Sequence, residues 1–210
     1  MITIENTDVH GFEAAIRGAR NAYNSWDKSD SHWDDEHRNF IVGDADLKLL
    51  KGLAERGDSH GKALRMIHVS CDITAPLYWW KELDTYKVAT TRNSCSTMHK
   101  IAAKEFEFDD FSYEHLEVSC LNHLSDIMDV LNAWRYVYLK GDAKHAPKDK
   151  DSWWQMIQTL PSSYNQRATW DASYQTLRHI YHDREGHKLD EWHKFRWWIE
   201  GLPYSEVITG

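Results

Sequence analysis

Apolar positions along this chain recur with two different periods. Residues 1–5 alternate apolar and polar, the pattern of a short strand. Asn6-Thr7-Asp8 then offers a helix N-cap. Val9, Phe12, Ile16, Ala19 and Tyr23 follow at spacings of three and four, one face of an amphipathic helix. Residues 25–43 are polar and rich in Asp, Ser and His, which predicts a loop. Asp44 or Asp46 can cap a second helix with Leu47, Leu50 and Ala54 on one side, closed by Gly57 as a left-handed residue.

Alternation from Met66 to Cys71 predicts a strand. Pro76 suits the first turn of a short helix carrying Tyr78, Trp79 and Trp80. Glu105 to Asp109 alternates strictly and reads as a half-exposed strand. Leu116, Cys120, Leu124, Ile127, Leu131, Trp134 and Tyr138 trace a long helical stripe that stops near Gly141. The stretch from Gly141 to Lys150, with Pro147 and many charges, reads as a surface loop. After Trp153 the pattern is helical again, broken by Leu160-Pro161. Leu177, Ile180, Tyr181 and Arg184 continue a helix to Gly186. Leu189, Trp192, Phe195 and Ile199 form a last one, closed by Gly201 and Pro203. No repeat or linker separates domains, so 1–210 reads as one mostly helical α+β domain with a few strands.

Length and composition narrow the function. A chain of 210 residues buries a substantial core. Its formal net charge of -8 argues against binding nucleic acid or an anionic membrane, and no stretch approaches a membrane span. The N-terminus lacks the basic and apolar regions of a signal peptide. Cys71, Cys95 and Cys120 have no CxxC spacing, which fits a reduced, cytoplasmic protein without a zinc or disulfide framework. Eleven tryptophans serve either as core and interface anchors or as stacking surfaces for a planar ring.

Chemistry-bearing side chains concentrate in two places. Lys87, Arg92, His99 and Lys100 bring four potential cations into a short stretch that also holds Ser94, Ser96 and Thr97. That is the composition of a phosphate pocket, or of a solvated loop. Cys95 within it is a small thiol, or a nucleophile if neighbouring cations lower its pKa. The second place is His179, His182, Asp183, His187, Glu191 and His193. An uninterrupted helix would put several of these on one face, as in a metal-dependent phosphohydrolase, but Gly186 predicts an interruption and no metal is expected.

Four segments, in order, carry a resemblance. They are Thr7 to Tyr23, with Ala19-Arg20-Asn21-Ala22-Tyr23 at its end, the stretch Leu53 to His60, the stretch Ile73 to His99, and Leu160-Pro161 through Trp192. Together they resemble the flavin-dependent thymidylate synthases: an early Ala-Arg-x-x-Tyr helix end, a helix ending in Gly-His, the signature region, and a late Leu-Pro followed by a helix ending in arginine. Thr85-Tyr86-Lys87 stand at that family's Arg-His-Arg and Cys95-Ser96-Thr97 at its Ser-x-Arg. His60, Lys62 and Arg65 take the place of its Glu-His turn. Ser173 and His179 fall near its flavin-facing asparagines.

The resemblance implies a mostly helical fold with a small antiparallel sheet, assembled as a homotetramer. It implies FAD as cofactor, with NADPH and methylenetetrahydrofolate as co-substrates. The reaction would move a one-carbon unit to C5 of a pyrimidine nucleotide such as dUMP. It further implies that Lys87, Arg92, Ser94, Cys95, Ser96, Thr97, His99 and Arg184 bind substrate, and that His60, Arg65, Tyr86, Ser173, His179 and His187 bind the cofactor. No side chain is singled out as the catalyst. A nucleotide- or flavin-binding protein without turnover is the alternative on the same scaffold, and a metal-dependent nucleotide phosphohydrolase built on the histidine cluster ranks behind it.

Overall fold

The computed structural model describes residues 1–210 except 35, 37 and 38. Along the chain come β1 (Thr3–His10), α1 (Phe12–Asn21), β2 (His32–Asp34), β3 (Asn39–Ile41), α2 (Asp44–Ala54) and β4 (His68–Pro76). There follow α3 (Leu77–Leu83), β5 (Thr90–Ser94), α4 (Thr97–Lys100), α5 (Val118–Lys140) and α6 (Lys150–Thr159). The chain closes with β6 (Asn165–Ser173), α7 (Tyr174–Asp183), α8 (Asp190–Glu200) and α9 (Glu206–Thr209). Strands β1-β4-β6-β5 form a sheet in that order, and β2 and β3 form a separate hairpin. This mixture of helices and a small antiparallel sheet is the expected fold class. Among the described residues no helix is long and apolar enough to cross a membrane.

Two compact units divide the chain. The first comprises Met1–Thr3, Thr74–Leu83 and Asn93–Ala168. Its core joins Leu124, Met128 and Leu131 of α5 to Met156 of α6, with Ile101, Phe106 and Phe111 beside them. The long stripe is therefore a core-facing seam, although Leu116 and Cys120 at its start are exposed. Trp79 and Trp80 are fully buried and lie edge to face with ring centroids 5.3 Å apart, so both are core residues. Glu105 to Asp109 is not a strand. Its alternation is real, with Phe106 buried, but its backbone pairs with a side chain instead of a neighbouring strand. Phe106 N–H donates to Asn132 Oδ1 (2.8 Å), and Asn132 Nδ2 donates back to Phe106 C=O (3.0 Å).

The second unit comprises Ile4–Ile73, Asp84–Arg92 and Thr169–Gly210. Asn6-Thr7-Asp8 does not cap a helix here. These residues stay in β1, where Asn6 Nδ2 donates to Asp72 Oδ2 (2.8 Å) and Thr7 Oγ1 accepts from Trp198 Nε1 (3.0 Å). Helix α1 begins only after Gly11, whose φ is +98° and where a Cβ would fall 2.0 Å from Met66 O. The cap of α2 also differs from expectation. Neither Asp44 nor Asp46 provides it: Asp30, from outside the helix, accepts from the N–H groups of Ala45 (2.9 Å) and Asp46 (3.1 Å).

Asp46 points inward instead. Its carboxylate accepts from Arg20 Nε (2.7 Å), Ser29 Oγ (2.6 Å) and Ser31 Oγ (2.6 Å). The polar stretch 25–43 is thus tied to α1 and α2, and it is not wholly a loop. Residues 26–28 form a 3-10 turn, and Trp33 of β2 pairs with Phe40 of β3. The part of that expectation falling on 35, 37 and 38 lies outside the described residues.

Strand β6 replaces part of the expected helical run after Trp153. Ala168, Trp170 and Ala172 are buried, while Arg167 and Thr169 are exposed and Asp171 half-buried. Strand β5 similarly occupies the start of the expected hydroxyl-rich loop. Within the second unit, Trp170 packs edge to face on Phe195, and Tyr174 donates to Pro203 C=O (2.8 Å). These contacts seat the end of β6 and the start of α7, where the candidate site forms.

Candidate functional site

Helix α7 starts with a cap that also holds a neighbouring loop. Ser173 Oγ accepts from Thr176 N–H (3.2 Å), satisfying one of the helix's otherwise unpaired donors. Thr176 Oγ1 donates to Val88 C=O (2.9 Å), so across the 3.1 Å contact between the two hydroxyls Ser173 is the donor. Ser173 N–H donates to Ala89 C=O (3.3 Å), and Thr90 Oγ1 to Tyr86 C=O (2.8 Å). Two bonds, Thr176 to Val88 and Ser173 to Ala89, thus fix the stretch from Tyr86 to Thr90 against the start of α7, and Ala89 is held there at φ +54°.

A cavity of about 400 Å³ opens beside this clamp, wholly within the second unit. Thr85, Tyr86, Lys87, Val88 and Ala89 line one side. Ser173, Gln175, Thr176 and His179 line the α7 side, with Asp58 and Arg65 completing the wall. The described lining thus holds the basic side chains of Lys87 and Arg65 and the carboxylate of Asp58. Arg65 Nε donates to Gln175 Oε1, and Gln175 Nε2 reaches Asp58 C=O (3.5 Å). His179 Nε2 and Asp58 Oδ1 are 2.9 Å apart. That bond, then the side-chain hydrogen bonding of Gln175 to the carboxylate, holds the Asp58 carboxyl below its ordinary pKa.

Tyr86 links the cavity to the end of α7. Its hydroxyl donates to Asp183 Oδ2 (3.3 Å), while the Arg184 guanidinium lies 5.3 Å from its ring centroid and 4.5 Å from that of Trp192. Burial pushes the Tyr86 pKa up; Arg184 opposes that and Asp183 adds to it. Tyr86 is therefore a neutral donor at physiological pH, and cation–π contacts fix the plane of Arg184.

Of the residues singled out in the sequence, Lys87, Arg65, Tyr86, Ser173 and His179 come together in this cavity, with Arg184 against Tyr86. His60 lines a second cavity that it shares with Arg65. His187 lies in the turn after α7, where its Nδ1 accepts from Leu189 N–H (3.1 Å). Arg92 Nη1 is 2.6 Å from Asp84 Oδ2, an ion pair that anchors it outside the cavity wall.

Ser94, Cys95, Ser96, Thr97 and His99 belong to the first unit. Ser96 Oγ caps the single turn of α4 by accepting from His99 N–H (3.3 Å). The Cys95 backbone is held by Arg167 C=O (2.9 Å) and Gln166 Nε2 (2.7 Å), with its side chain exposed. Among the described residues no group of three or more His, Cys, Asp or Glu side chains is placed to hold a metal ion. Helix α7 ends at Asp183, and Gly186 at φ +64° separates His187, Glu191 and His193 from it.

Asp58, Gln175 and Thr176 line the cavity but were not singled out in the sequence. Thr176 carried a local signal, a hydroxyl three residues after the capping Ser173. Gln175 carried none, because its role depends on Arg65 arriving from a distant segment.

No family model matches the chain, and no curated protein matches it. Solved structures do. One is a crystal structure of the flavin-dependent thymidylate synthase ThyX from Helicobacter pylori complexed with FAD and dUMP. It superposes with a TM-score of 0.67 at 15% identity, over 98% of this chain and 96% of that one. A second structure of ThyX from the same organism, also with FAD and dUMP, gives a TM-score of 0.68 at 15% identity, over 100% and 97%. At this identity the match concerns the fold: the chain has the architecture of the ThyX flavin-dependent thymidylate synthases from end to end.

Proposed function

We propose that this chain binds FAD and a pyrimidine nucleotide on the ThyX fold and transfers a one-carbon unit to C5 of that nucleotide. The observation that carries the reading is the cavity at the start of α7. It gathers five residues that the sequence resemblance independently implied as ligand contacts. The near-complete coverage of both ThyX structures supports 1–210 acting as one domain of that kind. Methylenetetrahydrofolate as donor, NADPH as reductant, a homotetrameric assembly and a cytoplasmic location belong to the same proposal.

The donor set fits such ligands. Phosphoryl oxygens need cations, and the cavity presents Lys87 and Arg65. Lysine acts as a point charge where the resembled signature has the forked contact of arginine. Lys87 therefore neutralises without fixing orientation, and orientation falls to Tyr86 and to the Arg184 plane behind it. A bound flavin would supply the hydride equivalent that one-carbon transfer requires. The chain's own part is to hold two planar ligands in register and exclude water. Asp58 keeps His179 in one orientation at the cavity wall.

The deciding experiment is the visible absorption spectrum after mixing with FAD and desalting, followed by turnover with dUMP, methylenetetrahydrofolate and NADPH. Retained flavin bands and dTMP formation support the full proposal. Retained flavin without product supports the second reading, a binding protein, which the sequestering of Arg92 by Asp84 favours. Failure to retain flavin with dUMP present would remove both.

A further inference from the structure

A second cavity, of about 430 Å³, lies in the second unit between α1, the end of α2 and the 3-10 segment Gly61–Met66. Its existence follows from how that segment is pinned. At Gly61 a Cβ would sit 3.2 Å from Ala54 Cα, so this end lies tight against α2. At Met66 the carbonyl fills the space where Gly11 lacks a side chain. Between these fixed ends the segment spans a slot with a floor of Gly18, Ala19, Ala22, Leu53 and Ala63. Ala19, Leu53 and Ala63 are buried, and the flexible thioether of Met66 forms one edge.

Charge at this cavity runs against the rest of the molecule. The chain carries a formal net charge of -8, yet the described lining holds no carboxylate. It holds His60, Lys62 and Arg65 instead. An apolar floor with cations on its wall selects a ligand with an apolar body and an anionic head. The floor also says which body. It is built from small and aliphatic side chains; of the rings in the described lining, Tyr23 is 53% exposed and His60 is exposed too, so no buried aromatic is offered for stacking.

We propose that this cavity binds an aliphatic carboxylate: the hydrocarbon tail lies along Gly18, Ala22 and Ala63, and the carboxylate is held by Lys62 and Arg65. Because the ligand is not a planar ring, the proposal does not depend on the flavin and nucleotide reading, although Arg65 lines both cavities and Lys62 is the cation that belongs to this one alone.

The test is calorimetric titration of the full chain with decanoate below its micellar concentration, beside decanol and benzoate. Two variants go with it. Ala22→Phe fills the slot from an exposed position, and Lys62→Glu reverses an exposed charge; circular dichroism confirms that both are folded. The expected result is binding of decanoate, weakened about tenfold or more by either variant, with decanol and benzoate at least about tenfold weaker on the same scale. Absence of decanoate binding, equal binding of decanol, equal or tighter binding of benzoate, or undiminished binding by folded Ala22→Phe would each overturn the proposal.

Discussion

Asp46 shows how much one residue can hold in this chain. Its side chain is fully buried, with Arg20 beside it 8% exposed. Burial alone would raise its pKa. The bonds from Ser29, Ser31 and Arg20, with the Arg20 charge, outweigh that and hold the carboxyl below its ordinary value. A depressed carboxyl pKa adds stability above the ordinary value of 3.8, and that stability is lost as pH falls through the folded-state value. Asp46→Asn leaves Arg20 buried without its counter-charge, which costs about 3–5 kcal/mol near neutrality. Urea unfolding across a pH series should show the gap between wild type and Asp46→Asn shrinking as the medium is acidified below that ordinary value. A gap that stays constant would mean the carboxylate is not charged in the native state. The same residue accounts for a sequence feature: Arg20, at the Ala19-Arg20 helix end, is engaged in this internal pair.

At the level of elements, glycines separate structural need from tolerance. Gly11 has a left-handed φ and no room for a Cβ against Met66 O, whereas Gly52 in α2 has nothing within 4 Å of the same position. Gly11→Ala should therefore destabilise by about 2 kcal/mol or more. Gly52→Ala should stabilise by about 0.5–1 kcal/mol through helix propensity. Thermal unfolding of the pair checks both signs, and a neutral Gly11→Ala would mean that β1 does not turn into α1 as described.

The elements also show what a single sequence can reveal. The α5 stripe was legible because one face of a long helix packs on one partner, so its period survives in the sequence. Strand β6 was hidden because small Ala168 and Ala172 alternate with polar residues, and their burial comes from neighbours distant in sequence. Glu105 to Asp109 misled in the opposite sense. An alternating segment needs only something to pair with, and the Asn132 amide serves where a strand was expected. In the candidate site, the resemblance brought out Lys87, Tyr86 and Ser173. Asp58 and Gln175 stayed hidden because they act through Arg65 and His179, which reach them only after folding.

For the whole molecule, ligand binding and folding are linked. A ligand that binds only the native state stabilises it by an amount set by its concentration over Kd, about 2.7 kcal/mol at a hundredfold excess over Kd. FAD with dUMP should therefore raise the thermal midpoint of this chain by several degrees. Lys87 is exposed, so Lys87→Ala should leave the unliganded midpoint unchanged. It should nonetheless remove much of the ligand-induced rise, since a charge-assisted contact is worth about 1.5–3 kcal/mol. That separation distinguishes a binding residue from a structural one. A lowered midpoint without ligand would make Lys87 part of the scaffold. An undiminished rise would move the phosphate contact away from the cavity at the start of α7, leaving Arg65 to define the other cavity that it lines.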